Sequence, residues 1–111
     1  MGVEFTATEA GFDRGIGGAS NARSSETYHY LLFGQQTLRQ HPEYNGIYFE
    51  VDHQNQGGVN LVTRVVVSPE SVRFQLDTGD AVLVRCGVDD EQWRRFLQGI
   101  HEVFESVERL E

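Results

Sequence analysis

The chain has 111 residues, 39% of them hydrophobic and 23% charged, which fits one globular domain with a single core. Nine basic residues against seventeen acids give a net charge of −8, a surface that repels phosphate backbones and excludes the ordinary nucleic-acid binders. No apolar run approaches the roughly 18 residues that would span a bilayer, so neither nucleic acid nor membrane is an expected partner.

The opening residues, Met1-Gly2-Val3-Glu4-Phe5, carry no basic stretch and no long apolar stretch, so no secretory signal is read and the cytoplasm is the expected compartment. Cys86 is the single cysteine, which rules out an internal disulfide and any Cys-x-x-Cys metal or redox site. Its Val-rich setting predicts a small core residue. All nine basic residues are arginine, a bias we read as that of a GC-rich bacterial genome.

In chain order, Met1 to Thr8 alternates as a half-buried strand, with Val3 and Phe5 set against Glu4 and Thr6. Gly11 to Ser25, rich in Gly, Ser and Asn, predicts a flexible loop (11–25) that is mobile or orders on a partner. Thr27 to Phe33 reads as a second strand and Gly46 to His53 as a third, where Ile47, Phe49 and Val51 point one way and Tyr48, Glu50 and Asp52 the other. The Gln54-Asn55-Gln56-Gly57-Gly58 stretch reads as a turn before a fourth strand, Val59 to Val67. Val72, Phe74 and Leu76 mark a fifth strand. Val82, Val84, Cys86 and Val88 mark a sixth, after the Asp77-Thr78-Gly79-Asp80 turn.

The clearest element is a helix carrying Trp93, Phe96, Leu97, Ile100, Val103, Phe104 and Val107 at helical spacing. Asp89 sits where an N-cap belongs and Gln92 three residues on, with Asp90 and Glu91 at the positive end of the helix dipole. The predicted fold is α+β, one domain over 1–111: a mostly antiparallel meander sheet of about six strands packed against one C-terminal amphipathic helix.

Several chemistries can be weighed against these residues. Leu76-Asp77-Thr78-Gly79 is similar to the catalytic string of retroviral-type aspartic proteases, in which a homodimer shares one proton between two carboxylates. Here the string lies late, with one strand and one helix after it, and Asp-x-Gly between two strands is ordinary hairpin chemistry. Asp52-His53-Gln54-Asn55-Gln56-Gly57 imitates the start of a calcium loop, but Thr63 stands at the twelfth position in place of Glu. His29, His41, His53 and His101 lack ligand spacing, and Gly15-Ile16-Gly17-Gly18 lacks the strand-to-helix setting of a dinucleotide site. No metal and no cofactor is expected.

Tyr48-Phe49-Glu50-Val51-Asp52-His53-Gln54, then Gly57-Gly58, the Val59 to Val67 strand and Ser68-Pro69-Glu70-Ser71-Val72-Arg73-Phe74-Gln75-Leu76, resemble the immunity protein 10 family of bacterial polymorphic toxin systems. The resemblance spans roughly residues 46–107 and rests on the order of tyrosine-x-glutamate-x-aspartate strand, Gln- and Gly-containing turn, serine-led turn and acidic helix start. His53 stands where the pattern has a second acid. The resemblance implies a cytoplasmic antidote that binds and blocks a cognate toxin domain, and a basic toxin would suit the −8 charge.

The expectation is therefore a stoichiometric toxin inhibitor rather than an enzyme, monomeric or homodimeric. Tyr48, Glu50, Asp52, Gln54, Asn55 and Gln56 are expected on a free, solvated sheet face that contacts the toxin. The alternative surface is an acidic outer helix face of Glu102, Glu105 and Glu108 together with the 11–25 loop. Two other readings remain: an aspartic-type hydrolase dependent on Asp77-Thr78-Gly79, and a small regulatory or dimerisation module.

Overall fold

The computed structural model describes residues 2–110. They form ten strands and one α-helix, an α+β fold as expected, but the strands lie in two sheets instead of one. In chain order these are β1 (Val3–Ala7), β2 (Glu9–Asp13), β3 (Ile16–Ser20), β4 (Tyr30–Gln36), β5 (Gly46–Val51), β6 (His53–Val59), β7 (Val62–Ser68), β8 (Ser71–Leu76), β9 (Ala81–Cys86), α1 (Asp90–Val103) and β10 (Glu108–Arg109).

The first sheet runs β1-β9-β8-β7-β10, with β7, β8 and β9 antiparallel and the two outer strands parallel to their neighbours. The second, β2-β3-β4-β5-β6, is antiparallel throughout. Only Thr8 separates β1 from β2, and its backbone N–H donates to the Ser20 carbonyl at 2.8 Å, so the chain crosses from one sheet to the other at that residue.

Three expectations are corrected here. The segment read as a flexible loop over 11–25 contains the end of β2 and all of β3, joined by an Arg14-Gly15 turn. Both turn residues have positive φ, +54° and +81°, as a tight two-residue hairpin requires. The following 21–29 connection is tied down by buried Asn21, whose Oδ1 accepts the His29 N–H at 2.7 Å and whose Nδ2 donates to the Thr27 carbonyl at 2.9 Å. The turn expected at Gln54 to Gly58 falls earlier, at Asp52, where φ is +64°, and Gln54 to Gly58 belong to β6. Aspartate tolerates the left-handed region better than most residues. The fourth strand read as Val59 to Val67 is split by Asn60, at φ +58°, and Leu61.

The sheets meet through aromatic rings. Phe74 of β8 packs against Phe49 of β5 and Phe33 of β4 with centroids 5.1 and 6.3 Å apart, and Phe104 touches both Phe33 and Phe74. All four rings are buried, and tilted aromatic contacts of this kind add about 0.5–1.5 kcal/mol each to the burial of their area.

The helix begins as expected. Asp89 is the N-cap, its Oδ1 accepting the Gln92 N–H at 2.8 Å. The Gln92 side chain donates to Asp89 Oδ2 instead of reaching back to the cap backbone, so the pair is a variant of the capping box. Trp93, Phe96, Ile100 and Val103 are buried. The helix ends at Val103, one turn sooner than Val107 suggests, because the chain turns at Phe104 to lay β10 beside β7. It packs on the inner face of β2, β3 and β4, where Gly99 meets Phe12 of β2 and Phe96 meets Phe33 of β4. Cys86 is half-buried at the core margin. No helix of the described residues is long and apolar enough to cross a membrane.

Candidate functional site

Alternation along β4 and β5 sorts their side chains. Leu31, Phe33, Phe49 and Val51 face the core, which leaves Tyr30, Leu32, Gly34, Tyr48 and Glu50 on the outer face, away from both the helix and the first sheet. The register sets Leu32 opposite Glu50 and Gly34 opposite Tyr48. Neighbouring β3 adds Ile16, Gly18 and Ser20 to this face, opposite Gly34, Leu32 and Tyr30.

Glu50 lies at the centre of this face, beside a register irregularity between β5 and β6. It was expected to be solvated, but it is only 7% exposed. The reason is a neighbour on another strand. The Tyr30 hydroxyl donates to Glu50 Oε2 at 2.5 Å and the Tyr48 hydroxyl donates to Oε1 at 2.6 Å, so the two phenols close over the carboxylate from both sides. These hydrogen bonds hold the Glu50 carboxyl below its ordinary pKa, Tyr30 first and Tyr48 second, against the opposing effect of burial; the nearby His53 adds a smaller pull the same way. The same bonds, with burial, push the Tyr30 phenol up to about 12 and raise that of Tyr48. Glu50 makes no ion pair with an arginine or histidine among the described residues.

Asp52 is also engaged within the fold. Its Oδ2 stands 2.9 Å from His29 Nδ1 and its Oδ1 accepts the Tyr30 N–H at 3.2 Å, so this half-buried carboxylate fastens the β5–β6 turn to the start of β4. His29 in turn stacks on Phe5 of the first sheet, with centroids 6.0 Å apart. Gln54, Asn55 and Gln56 are exposed along edge strand β6, as a contact surface requires. Of the six residues expected at the site, the structure keeps Tyr48 with Glu50 and sets the three amides along the sheet edge. Asp52 becomes a structural anchor.

The sequence reading missed Tyr28, Tyr30, Leu32 and Ile16. Tyr28 is 58% exposed and stacks on Tyr30 at 5.8 Å, and Ile16 is 59% exposed. Two glycines, Gly11 and Gly18, lie directly opposite each other between β2 and β3. They floor a groove of about 560 Å³ walled by Ile16, Tyr30 and Leu32 on one side and by the exposed Glu9–Arg23 ion pair on the other. The alternating Tyr28-His29-Tyr30 run was the available signal.

The alternative acidic surface does not form one helix face. Glu102 is exposed on α1, Glu105 lies past the helix end, and Glu108 sits on β10 in a bidentate pair with Arg64, whose Nη2 is 2.9 Å from Oε1. Asp77-Thr78-Gly79 forms the β8–β9 turn, with Gly79 at φ +94° and its N–H donated to the Leu76 carbonyl at 3.0 Å. No group of three His, Cys, Asp or Glu among the described residues is placed to hold a metal ion.

Chemically, a carboxylate kept ionised by two donors is a poor proton donor at neutral pH, and phenols raised above their ordinary pKa are poor nucleophiles. What the arrangement offers is a fixed negative charge beneath an aromatic and aliphatic surface. Compared with family models, curated proteins and solved structures, the chain matches none.

Proposed function

We propose that this chain is an immunity protein that neutralises a cognate bacterial polymorphic toxin domain by stoichiometric protein–protein binding, and that the outer face of its second sheet is the contact surface. The observation that carries this reading is Glu50, a buried carboxylate in no ion pair among the described residues, framed by Tyr30 and Tyr48 and flanked by exposed Tyr28 and Ile16. Rigid aromatic anchors around a fixed charge are the residue types that dominate binding energy at protein interfaces. A phenol that donates to a carboxylate presents a more electron-rich ring, which favours an arginine or lysine of the partner stacked above it. The net charge of −8 steers a basic partner toward this surface.

The test is to co-express the chain with the toxin domain encoded beside its gene. Rescue of growth, a one-to-one complex on gel filtration and a titration end point at one equivalent support the reading. Failure to bind or protect against that toxin overturns it. So does turnover of peptide substrate that Asp77→Asn abolishes, which would favour the hydrolase.

A further inference from the structure

A second site lies on the other side of the molecule, where α1 passes the β7–β8 corner. Val67, Ser68 and Pro69 form one wall of a cleft of about 570 Å³, Trp93 and Leu97 form its apolar floor, and Arg94, His101 and Arg109 lie at its rim. That volume is in the range of sites that hold one small organic molecule.

The charges at the rim mark what the cleft lacks. Arg94 and Arg109 are exposed and form no ion pair among the described residues, in a chain where seventeen acids face nine arginines. Asp90 is the single acid lining the cleft, so two guanidinium groups against one carboxylate leave one positive charge in excess, before any contribution from His101. Unpaired cations around an apolar floor call for an anionic group on an apolar body.

We propose that this cleft binds a small amphiphilic carboxylate, its apolar part against Trp93, Leu97 and Val67 and its carboxylate between Arg94 and Arg109. The site shares no residue with the outer face of the second sheet, so it stands or falls independently of the toxin-binding reading.

Trp93 is the only tryptophan, so its fluorescence reports occupancy directly. Octanoate and phenylacetate are titrated into the intact protein, each beside its neutral amide. At least one acid should give a saturable change in Trp93 emission and bind about tenfold more tightly than its amide, the factor that corresponds to about 1.4 kcal/mol. The double variant Arg94→Gln, Arg109→Gln changes exposed side chains and should fold normally. It should weaken the acid about tenfold and leave the amide unchanged. No saturable response to either acid overturns the proposal, as does equal binding of acid and amide or an arginine variant that binds the acid as tightly as the parent. A response confined to a short peptide with a free C-terminal carboxylate, with neither small acid binding, also overturns it in favour of a peptide-docking cleft.

Discussion

Gly99 of α1 and Phe12 of β2 meet so closely that a Cβ carbon at residue 99 would stand 2.2 Å from the ring's Cδ1. The helix can therefore approach the sheet only because residue 99 has no side chain. Gly99→Ala should gain about 0.8–1 kcal/mol of helix propensity, yet overpacking of this kind costs about 1–3 kcal/mol, and the ring has to move. We expect a net loss of stability, read as a lower urea midpoint. Adding Phe12→Leu should recover part of that loss, because contacting residues are not additive. A Gly99→Ala variant as stable as the parent would show that the helix rides higher than the structure has it.

The same contact explains what could and could not be read from the sequence. The helix was legible because its stripe from Trp93 to Val103 and its Asp89 cap are local signals. The strands β7, β8 and β9 were legible because Val65 to Val67 and Val82 to Val84 are short β-branched and aliphatic runs bounded by turn residues, and Val72 and Phe74 alternate with polar Arg73 and Gln75. The strands β2 and β3 were not, since Gly11, Gly17, Gly18 and Ala19 carry none of the β-branched or aromatic character of strands. Gly17 is required by what lies against it: a Cβ there would stand 2.2 Å from the Phe33 ring. Alternation assigned Glu50 to the correct face but could not give its burial, because the residue that covers it, Tyr30, belongs to another strand.

The Tyr30–Glu50–Tyr48 network should make stability depend on pH at both ends of the scale. Glu50 has a lowered pKa when folded, so it contributes stability above its ordinary carboxyl value that is lost as pH falls through the folded value. Tyr30 has a raised pKa, so its contribution is complete below 10.0 and is lost as pH rises toward about 12. Urea midpoints measured on the acid side should fall more steeply for the parent than for Tyr30→Phe, Tyr48→Phe, in which the two hydrogen bonds that most lower the Glu50 pKa are gone. Phenolate absorbance should show one tyrosine titrating near 12 in the parent and returning toward 10.0 in Glu50→Gln. An unchanged titration curve in that variant would break the assigned pairing.

Trp93 is 6% exposed and packs on Phe96 with ring centroids 5.3 Å apart. Trp93→Ala should cost about 3–5 kcal/mol, the usual range for deleting a large buried aromatic side chain. Trp93→Phe keeps most of the volume and also removes the indole N–H that has no partner. It should therefore cost much less than the alanine variant. Calorimetric melting of the two variants separates the packing contribution from that of the unpaired donor, and equal losses would contradict the burial described.

The outer face of the second sheet can be tested without touching the network that holds it. Reversing the charge of Glu50 is a poor probe, because a buried lysine between two phenols leaves an uncompensated charge and breaks both hydrogen bonds, which endangers the fold. Ile16 and Tyr28 are more than half exposed, and a Cβ placed on Gly11 meets no atom within 4 Å. Ile16→Glu, Tyr28→Ala and Gly11→Phe should therefore fold with unchanged circular dichroism and nearly unchanged melting temperature, while each removes or obstructs part of the surface. If the toxin docks here, Tyr28→Ala should weaken binding by about 2 kcal/mol or more, as loss of an interfacial aromatic anchor does, and Gly11→Phe should weaken it by filling the groove. Reversal of Glu102 on α1 and Glu105 just past its end should leave affinity within experimental error, apart from a slower association at low salt as the net negative charge falls. Calorimetric titration of the toxin domain against these variants and the parent distinguishes the two surfaces: full affinity in all three sheet variants, with loss in the glutamate reversal, would move the contact to the helix.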